Sequence, residues 1–331
     1  QLERQYLASE IATHVNSQKL IAGISSTSES EKSKRLHATS KYTQFKMLVH
    51  RDLLSISRDT HAIVALVSKN IVVGLLIGIV FFQQVKVTTP LFNAYGVPEP
   101  EVTNISALIF FGMMHTMVSN AEAIPHLVTK SLVFRREINA FAYSVSPYWL
   151  SHCLTIIPLL FAGFLAFAVS TYFLVSFPLD SAYMFYFLAM MLLASLSSYY
   201  LAMAIAAYTN DQKLSLTIFP LCFLFLSTFA GYAIPVTDVS IMWKWATYVS
   251  YVRWAFQGLM NNQWGKYDSP EDNDGYHTVL DYYGFDNYNM YNSYWIMCLT
   301  IGIMVTLAYI AMRPQRSYLK KVTREQVMNI G

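Results

Sequence analysis

From residue 62 onward the chain is built of long apolar runs separated by short polar ones. Six stretches stand out: Ala62–Phe82, Ile105–Ala123, Ser144–Leu174, Ala182–Tyr208, Leu214–Ile234 and Tyr294–Met312. A helix rises about 1.5 Å per residue and the hydrocarbon core of a bilayer is roughly 30 Å thick, so about 20 apolar residues make one crossing. The pattern therefore predicts an all-α membrane protein with six transmembrane helices over residues 62–312. The third stretch is long enough to tilt or to begin outside the core.

The pattern is different ahead of the first stretch. Residues 1–40 are polar and mixed, with Ile24-Ser25-Ser26-Thr27-Ser28-Glu29-Ser30-Glu31 reading as a linker. Over 41–61, Phe45, Leu48, Val49, Leu53 and Ile56 recur at helical spacing, while Lys41, Lys46, Arg51, Asp52, Arg58 and Asp59 take the other face. That is an amphipathic helix suited to lie on the membrane surface. Residues 239–264 also stand apart. They hold four of the six tryptophans, Trp243, Trp245, Trp254 and Trp264, with Tyr248, Tyr251 and Arg253. Such rings concentrate at membrane interfaces, so short interfacial or re-entrant helices are expected there rather than a seventh crossing.

Composition agrees with a lipid-covered chain. Of 331 residues, 54% are hydrophobic and only 13% charged, against about 25% charged in soluble domains. The net charge of +3 is too small to suggest a nucleic-acid partner. Lys and Arg are unevenly placed. Eighteen fall before the first stretch, in the second and fourth connections and in the 313–331 tail; four (Lys86, Lys244, Arg253, Lys266) fall on the other side. The positive-inside rule then places both termini in the cytoplasm of a multi-pass protein in a plasma or organelle membrane. Residues 265–292 become a polar outer loop.

Chemistry-bearing motifs are scarce. No GxxxxGK[ST], HExxH, CxxC or GxSxG occurs, and the eight histidines have no metal-ligand spacing. Cys153, Cys222 and Cys298 all sit in apolar runs, which argues against a disulfide framework. Catalysis and metal binding by this chain alone are not expected. Asn104-Ile105-Ser106 is a glycosylation triplet on the outer side, but it abuts the second stretch.

The membrane stretches hold the candidate sites. Phe110, Phe111, Met114, His115 and Val118 in the second, with Leu221, Phe225, Thr228 and Phe229 in the fifth, combine aromatic, thioether and small polar groups able to line an adaptable apolar path. Ordinary helix packing accounts for the same spacing. Glu122 and Lys69 are charges inside apolar stretches, where an idle charge is costly. Arg135, Arg136 and Glu137 lie in the connection before the third stretch.

The order of several short stretches resembles the transmembrane domain of the G subfamily of ABC transporters, the White/Brown-complex half-transporters. They are Leu108-Ile109-Phe110-Phe111, Phe134-Arg135-Arg136-Glu137 with Tyr143, Tyr148 and Pro158, and Ala202-Met203-Ala204-Ile205-Ala206-Ala207. The most specific is Phe229-Ala230-Gly231-Tyr232 followed by Trp245, Tyr248-Val249-Ser250-Tyr251-Val252-Arg253-Trp254-Ala255-Phe256-Gln257-Gly258-Leu259 and Asn262-Gln263-Trp264. The resemblance runs from about Tyr42 to Met312. It implies an ABC-2, type V exporter-like fold and an ATPase domain before Gln1 that would hold ATP and Mg. Residues 1–40 would then be a cytoplasmic linker, and the helix at 41–61 the family's connecting helix. Arg135–Glu137 would touch the ATPase. Two units, alike or different, would pair with the second and fifth spans facing across the axis, and Tyr232 and Ala233 would form the outer constriction.

The sequence also departs from that pattern. Val118 stands where the subfamily's multidrug exporter has a phenylalanine, and Tyr232-Ala233 replaces its paired leucines. The implied function is ATP-driven export of a lipid, sterol or other amphipathic molecule by alternating access. The alternatives are movement of a pigment precursor or metabolite, or a membrane remnant without transport.

Overall fold

The computed structural model describes residues 39–82, 100–140, 142–177, 181–264, 277–285 and 290–312. Most of the expected linker, much of the outer loop and the 313–331 tail lie outside these. In chain order the helices are α1 (Lys41–Arg58), α2 (Thr60–Val80), α3 (Pro100–Val118), α4 (Ile124–Asn139), α5 (Val145–Thr155), α6 (Ile157–Val175), α7 (Ser181–Thr209), α8 (Gln212–Thr228), α9 (Lys244–Val249), α10 (Tyr251–Trp264), α11 (His277–Tyr283) and α12 (Met290–Met312). Single 3-10 turns at Ser119–Ala123 and Ile241–Trp243 complete the elements.

Among the described residues five helical segments are long and apolar enough to cross a membrane: Thr60–Val80, Pro100–Ile138, Val145–Val175, Ser181–Thr209 and Tyr291–Met312. The protein is an integral membrane protein. The expected fifth span is shorter than its apolar run: α8 has 17 residues and stops at Thr228. Residues 229–240 leave the helix because Gly231 adopts φ +93°, a left-handed conformation that glycine reaches without Cβ strain.

The centre of the bundle is α7, which packs against α3, α4, α6, α8, α10 and α12. Its middle is crowded with small residues. Ala194, Ser195, Ser197, Ser198, Ala202, Ala206 and Ala207 are all buried, so neighbouring backbones approach on several sides. A helix that is apolar all round belongs inside a protein or a membrane. Here it does both.

Around this post, two long helices are broken. The segment from Pro100 to Ile138 kinks at Ser119–Ala123, just before Pro125. The expected third span breaks at Ile156, next to Pro158. Proline has no N–H and its ring crowds the preceding turn, so each break frees carbonyls. Side chains add bonds beside the breaks: Ser198 Oγ donates to Met117 O at 2.7 Å, Asn120 Nδ2 to Thr116 O at 3.2 Å and to Ser195 O at 2.9 Å, and Tyr200 OH to Cys153 O at 2.9 Å.

The tryptophan-rich segment folds as short helices, of which α10 is completely buried. It lies among α3, α7, α8 and α12. The tryptophans of this segment divide between surface and core. Trp243 and Trp245 are exposed, but Trp254 and Trp264 sit in the core because α10 is enclosed on every side.

The amphipathic helix also packs differently from its apolar stripe. Gln44, Leu48 and Asp52, four residues apart, form the buried ridge against α5. Leu53 stays exposed, and Phe45, Val49 and Ile56 are half-buried. The ridge is chosen by polar contacts: Gln44 Oε1 accepts from the Ser144 amide at 3.0 Å and from its hydroxyl at 3.2 Å.

Helix α2 reaches the bundle through α6, along a seam of small residues. Gly74 and Gly78 lie one turn apart. A Cβ on Gly74 would strike Ser170 Oγ and come within 2.9 Å of Phe167 O; one on Gly78 would meet Leu174 Cδ1 at 2.6 Å. From the other side Gly163 admits Leu66 and Asn70 at 3.2 Å. This is close small-residue packing of the kind that associates membrane helices. Replacing Gly74 by Leu should destabilise the protein by about 1–3 kcal/mol, the usual cost of overpacking. Gly302, with nothing within 4 Å of its Cβ direction, is the control. Thermal unfolding in detergent should show a clear drop for Gly74→Leu and none for Gly302→Ala. Equal midpoints would mean that the seam does not hold α2.

Candidate functional site

An apolar groove of about 470 Å³ runs between α2 and α3. Leu76, Ile77, Val80 and Phe81 form one wall; Phe111, Met114, His115 and Val118 form the other. The walls follow from helical periodicity, since positions three and four apart share a face. On α3 the other faces are taken. Ile105, Leu108, Ile109, Met113 and Met117 are buried in the core, leaving Phe111 and Val118 about half exposed. His115 is anchored by Nε2, 3.1 Å from Asn70 Oδ1 across the groove.

Four of the residues expected to line a substrate path thus come together. Phe110 does not join them. It is buried and stacks on Tyr232 with ring centroids 4.4 Å apart and planes at 15°. Phe256 of α10 meets both rings edge-on, at 5.5 Å from Phe110 and 5.9 Å from Tyr232. The left-handed turn at Gly231 carries Tyr232 into this cluster; a Cβ at Gly231 would lie 2.7 Å from Phe285 Cζ. Ala233, next along, is exposed.

The candidates on α8 occupy a separate surface. Leu221 and Phe225 are exposed, and Thr228 bonds back to Leu224 O at 2.9 Å. Phe225 and Phe229 meet edge-on at 5.2 Å, and Phe229 stacks on Trp243 at 5.8 Å, with Trp245 alongside. Among the described residues none of α8 lines the groove between α2 and α3.

Ser250 secures the end of α8. Its hydroxyl donates to Leu226 O at 2.6 Å and accepts from the Arg253 amide at 3.3 Å, so it completes one helix and starts the next. The Arg253 guanidinium is buried between the rings of Trp254, at 4.6 Å, and Tyr248, at 5.1 Å.

A second site joins α1 to α4. Arg135, Arg136 and Glu137, expected in a connecting loop, lie in the last turns of α4. Arg51 Nη1 donates to both Glu137 carboxylate oxygens, at 3.2 and 3.0 Å. The Tyr143 hydroxyl donates to the same carboxylate. Burial alone would lower the Arg51 pKa, but the hydrogen bond and charge of Glu137 outweigh it and raise the pKa above its ordinary value. Burial, followed by the Glu137 bond and charge, pushes the Tyr143 phenol upward as well. Beneath them Phe134, Tyr143 and Tyr148 stack, with Phe134 and Tyr148 at 4.3 Å. Arg135 is half-buried and Arg136 exposed.

The two intramembrane charges pair with each other: Lys69 Nζ lies 2.6 Å from Glu122 Oε2. Asn104 falls inside α3, a helical setting rather than a loop. Sequence reasoning missed Arg51, Asn70 and Tyr143 as partners and α2 as a groove wall. The only signal was weak: Leu76 and Val80 share a helical face with Lys69.

The structure is thus a bundle of apolar helices broken within their length, with an open apolar groove between α2 and α3 and an ion pair joining α1 to α4, an architecture of the membrane-embedded class. Residues 43–264, more than half of the chain, match the family model described as ABC-2 type transporter, and the chain belongs to that family. Among curated relatives it is 26% identical over 260 residues to ABC transporter G family member 37 of Arabidopsis thaliana, covering 76% of this chain and 17% of that protein. It is 24% identical over 231 residues to Protein white of Drosophila melanogaster, covering 70% of this chain and 32% of that protein. ABC transporter G family member 2 of Dictyostelium discoideum is 25% identical over 219 residues, 66% of this chain and 15% of that protein. The chain therefore spans a third or less of these relatives.

The Phe110–Tyr232 stack is open to a direct test. Offset aromatic pairs contribute about 0.5–1.5 kcal/mol beyond their buried area. A double-mutant cycle with Phe110→Leu and Tyr232→Leu should return a coupling in that range by thermal unfolding. Additive single effects would show that the stack contributes nothing of its own.

Proposed function

We propose that this chain is the membrane half of an ATP-driven exporter that moves lipids, sterols or other amphipathic molecules by alternating access. The groove between α2 and α3 carries the proposal. It is apolar, open on one side and lined by Met114, Phe111 and other adaptable side chains, a surface suited to ligands that already reside in a bilayer. In this reading α8 is the sixth crossing, both termini are cytoplasmic, and α10 is a re-entrant helix sheltered by protein.

The chain holds no P-loop, so ATP and Mg would be bound by a nucleotide-binding domain outside it. ATP can shift the bundle only through its unequal affinity for two conformations. Something rigid must carry that bias. The Arg51–Glu137–Tyr143 joint is suited to the task because it ties the surface helix α1 to the end of α4, whose other end leads through the kink to α3 and the groove. Two such units, identical or different, would place the exposed aromatic face of α8 and the face of α3 on either side of a shared cavity. Tyr232 and Ala233 would close that cavity outward. That none of the described residues of α8 lines the groove is the observation favouring a paired arrangement.

The test is reconstitution of the full transporter in proteoliposomes with candidate amphipaths. Some should change its basal ATPase rate, and Met114→Trp, which fills the groove, should abolish the response. If none alters the rate, the lipid-export reading fails. Glu137→Ala should leave ATP hydrolysis running while transport per ATP falls severalfold, and the reversal Arg51→Glu with Glu137→Arg should recover part of it. Unchanged transport per ATP in Glu137→Ala would remove the joint from the coupling path.

A further inference from the structure

The groove is apolar along its length but not at its end. On α2, Lys69 lies seven residues before Leu76, and Asn70 seven before Ile77, so these two polar side chains continue the same faces that wall the groove. On the other wall Glu122 follows Val118 by one turn, carried by the 3-10 kink. Both walls therefore finish in a charge at the same end, and the charges meet: Lys69 Nζ to Glu122 Oε2 is 2.6 Å. Beside that pair a second polar bridge crosses between the same walls: His115, two turns before Glu122, meets Asn70, the neighbour of Lys69, at 3.1 Å. The ion pair is accessible. The Glu122 side chain is 65% exposed and that of Lys69 28%. Among the described residues the Glu122 carboxylate has no hydrogen-bond partner other than Lys69.

We propose that the Lys69–Glu122 pair is a head-group selector: it admits amphipaths whose polar head is net neutral and dipolar, a zwitterion above all, and rejects heads of net charge. The proposal rests on the reading of the groove as the substrate path. The physical reason is charge balance in a medium with little water. A zwitterionic head can open the pair and satisfy both partners, its anionic group on Lys69 and its cationic group on Glu122. An anionic head that takes Lys69 strands Glu122, and a cationic head that takes Glu122 strands Lys69. An unpaired charge at membrane depth is costly.

The position of the pair agrees with this. Lys69 lies nine residues into α2, about 14 Å along the helix at 1.5 Å per residue. From there the apolar walls run on toward Val80 and Phe81. A charge stranded that far along a 21-residue span is remote from either interface, where leaving it unpaired costs most.

The test uses the purified full-length transporter and three probes with the same alkyl chain: an alkyl phosphocholine, an alkyl phosphate and an alkyl trimethylammonium. Each competes with a photoreactive alkyl phosphocholine, and labelling is read from the gel. The wild type should prefer the phosphocholine over both charged probes by at least about tenfold, the equivalent of one stranded charge made only partly costly. Lys69→Met should shift preference to the trimethylammonium probe, and Glu122→Gln to the phosphate. The swap Lys69→Glu with Glu122→Lys keeps the pair and should restore the wild-type order, which separates selection from loss of folding. Equal affinity for the three probes, or an order unchanged in both single variants, overturns the selector. Failure of the groove reading gives a different result: wild type labels with no probe, or Met114→Trp labels as well as wild type.

Discussion

A helix broken within a bilayer leaves carbonyls without donors, and with no water at hand the protein itself must supply them. This bundle is organised around that requirement. Its two internal breaks, at Ser119–Ala123 and at Ile156, both face α7. Ser195, Ser198 and Tyr200 on one stretch of that helix bond to groups beside the breaks: Ser198 to Met117 O, Tyr200 to Cys153 O, and Ser195 O with the Asn120 amide. The small residues beside them let the broken helices come close enough for the bonds to form. Ser250 does the same for the end of α8. Polar side chains in the middle of this apolar protein are thus the completion of its backbone.

The breaks are what give the molecule its sites. The kink after Val118 turns α4 away from α3. It sets Glu122 against Lys69 at the foot of the groove and sends the chain on to Glu137, where Arg51 of the surface helix grips it. The irregular segment after Thr228 serves similarly at the other end. Gly231 turns Tyr232 onto Phe110, joining the second and fifth apolar stretches through aromatic contact.

The two ends differ in kind. The end near α1 is held by ions and hydrogen bonds between elements far apart in sequence, contacts that have strict geometry and break abruptly. The groove is held by thioether, aliphatic and ring surfaces, which slide and repack at little cost. The aromatic face of α8 has a different character: Phe225, Phe229, Trp243 and Trp245 form a ladder of which Phe225, Trp243 and Trp245 are exposed among the described residues.

Much of this was legible in order of residues alone. Runs of about 20 apolar residues can only be membrane helices, because length and backbone satisfaction leave no other structure in lipid. The surface helix, the short helices around the tryptophans and the family resemblance followed from periodicity and motif order. What the sequence could not decide was which groups meet. Lys69 and Glu122 are 53 residues apart, Arg51 and Glu137 are 86 apart, and no local pattern specifies such a pairing. Nor could periodicity separate Phe110, which is buried against Tyr232, from its neighbour Phe111, which lines the groove. Successive residues on a helix point about 100° apart, and only the packing of α3 between α2, α7 and α10 decides which direction is core and which is cavity.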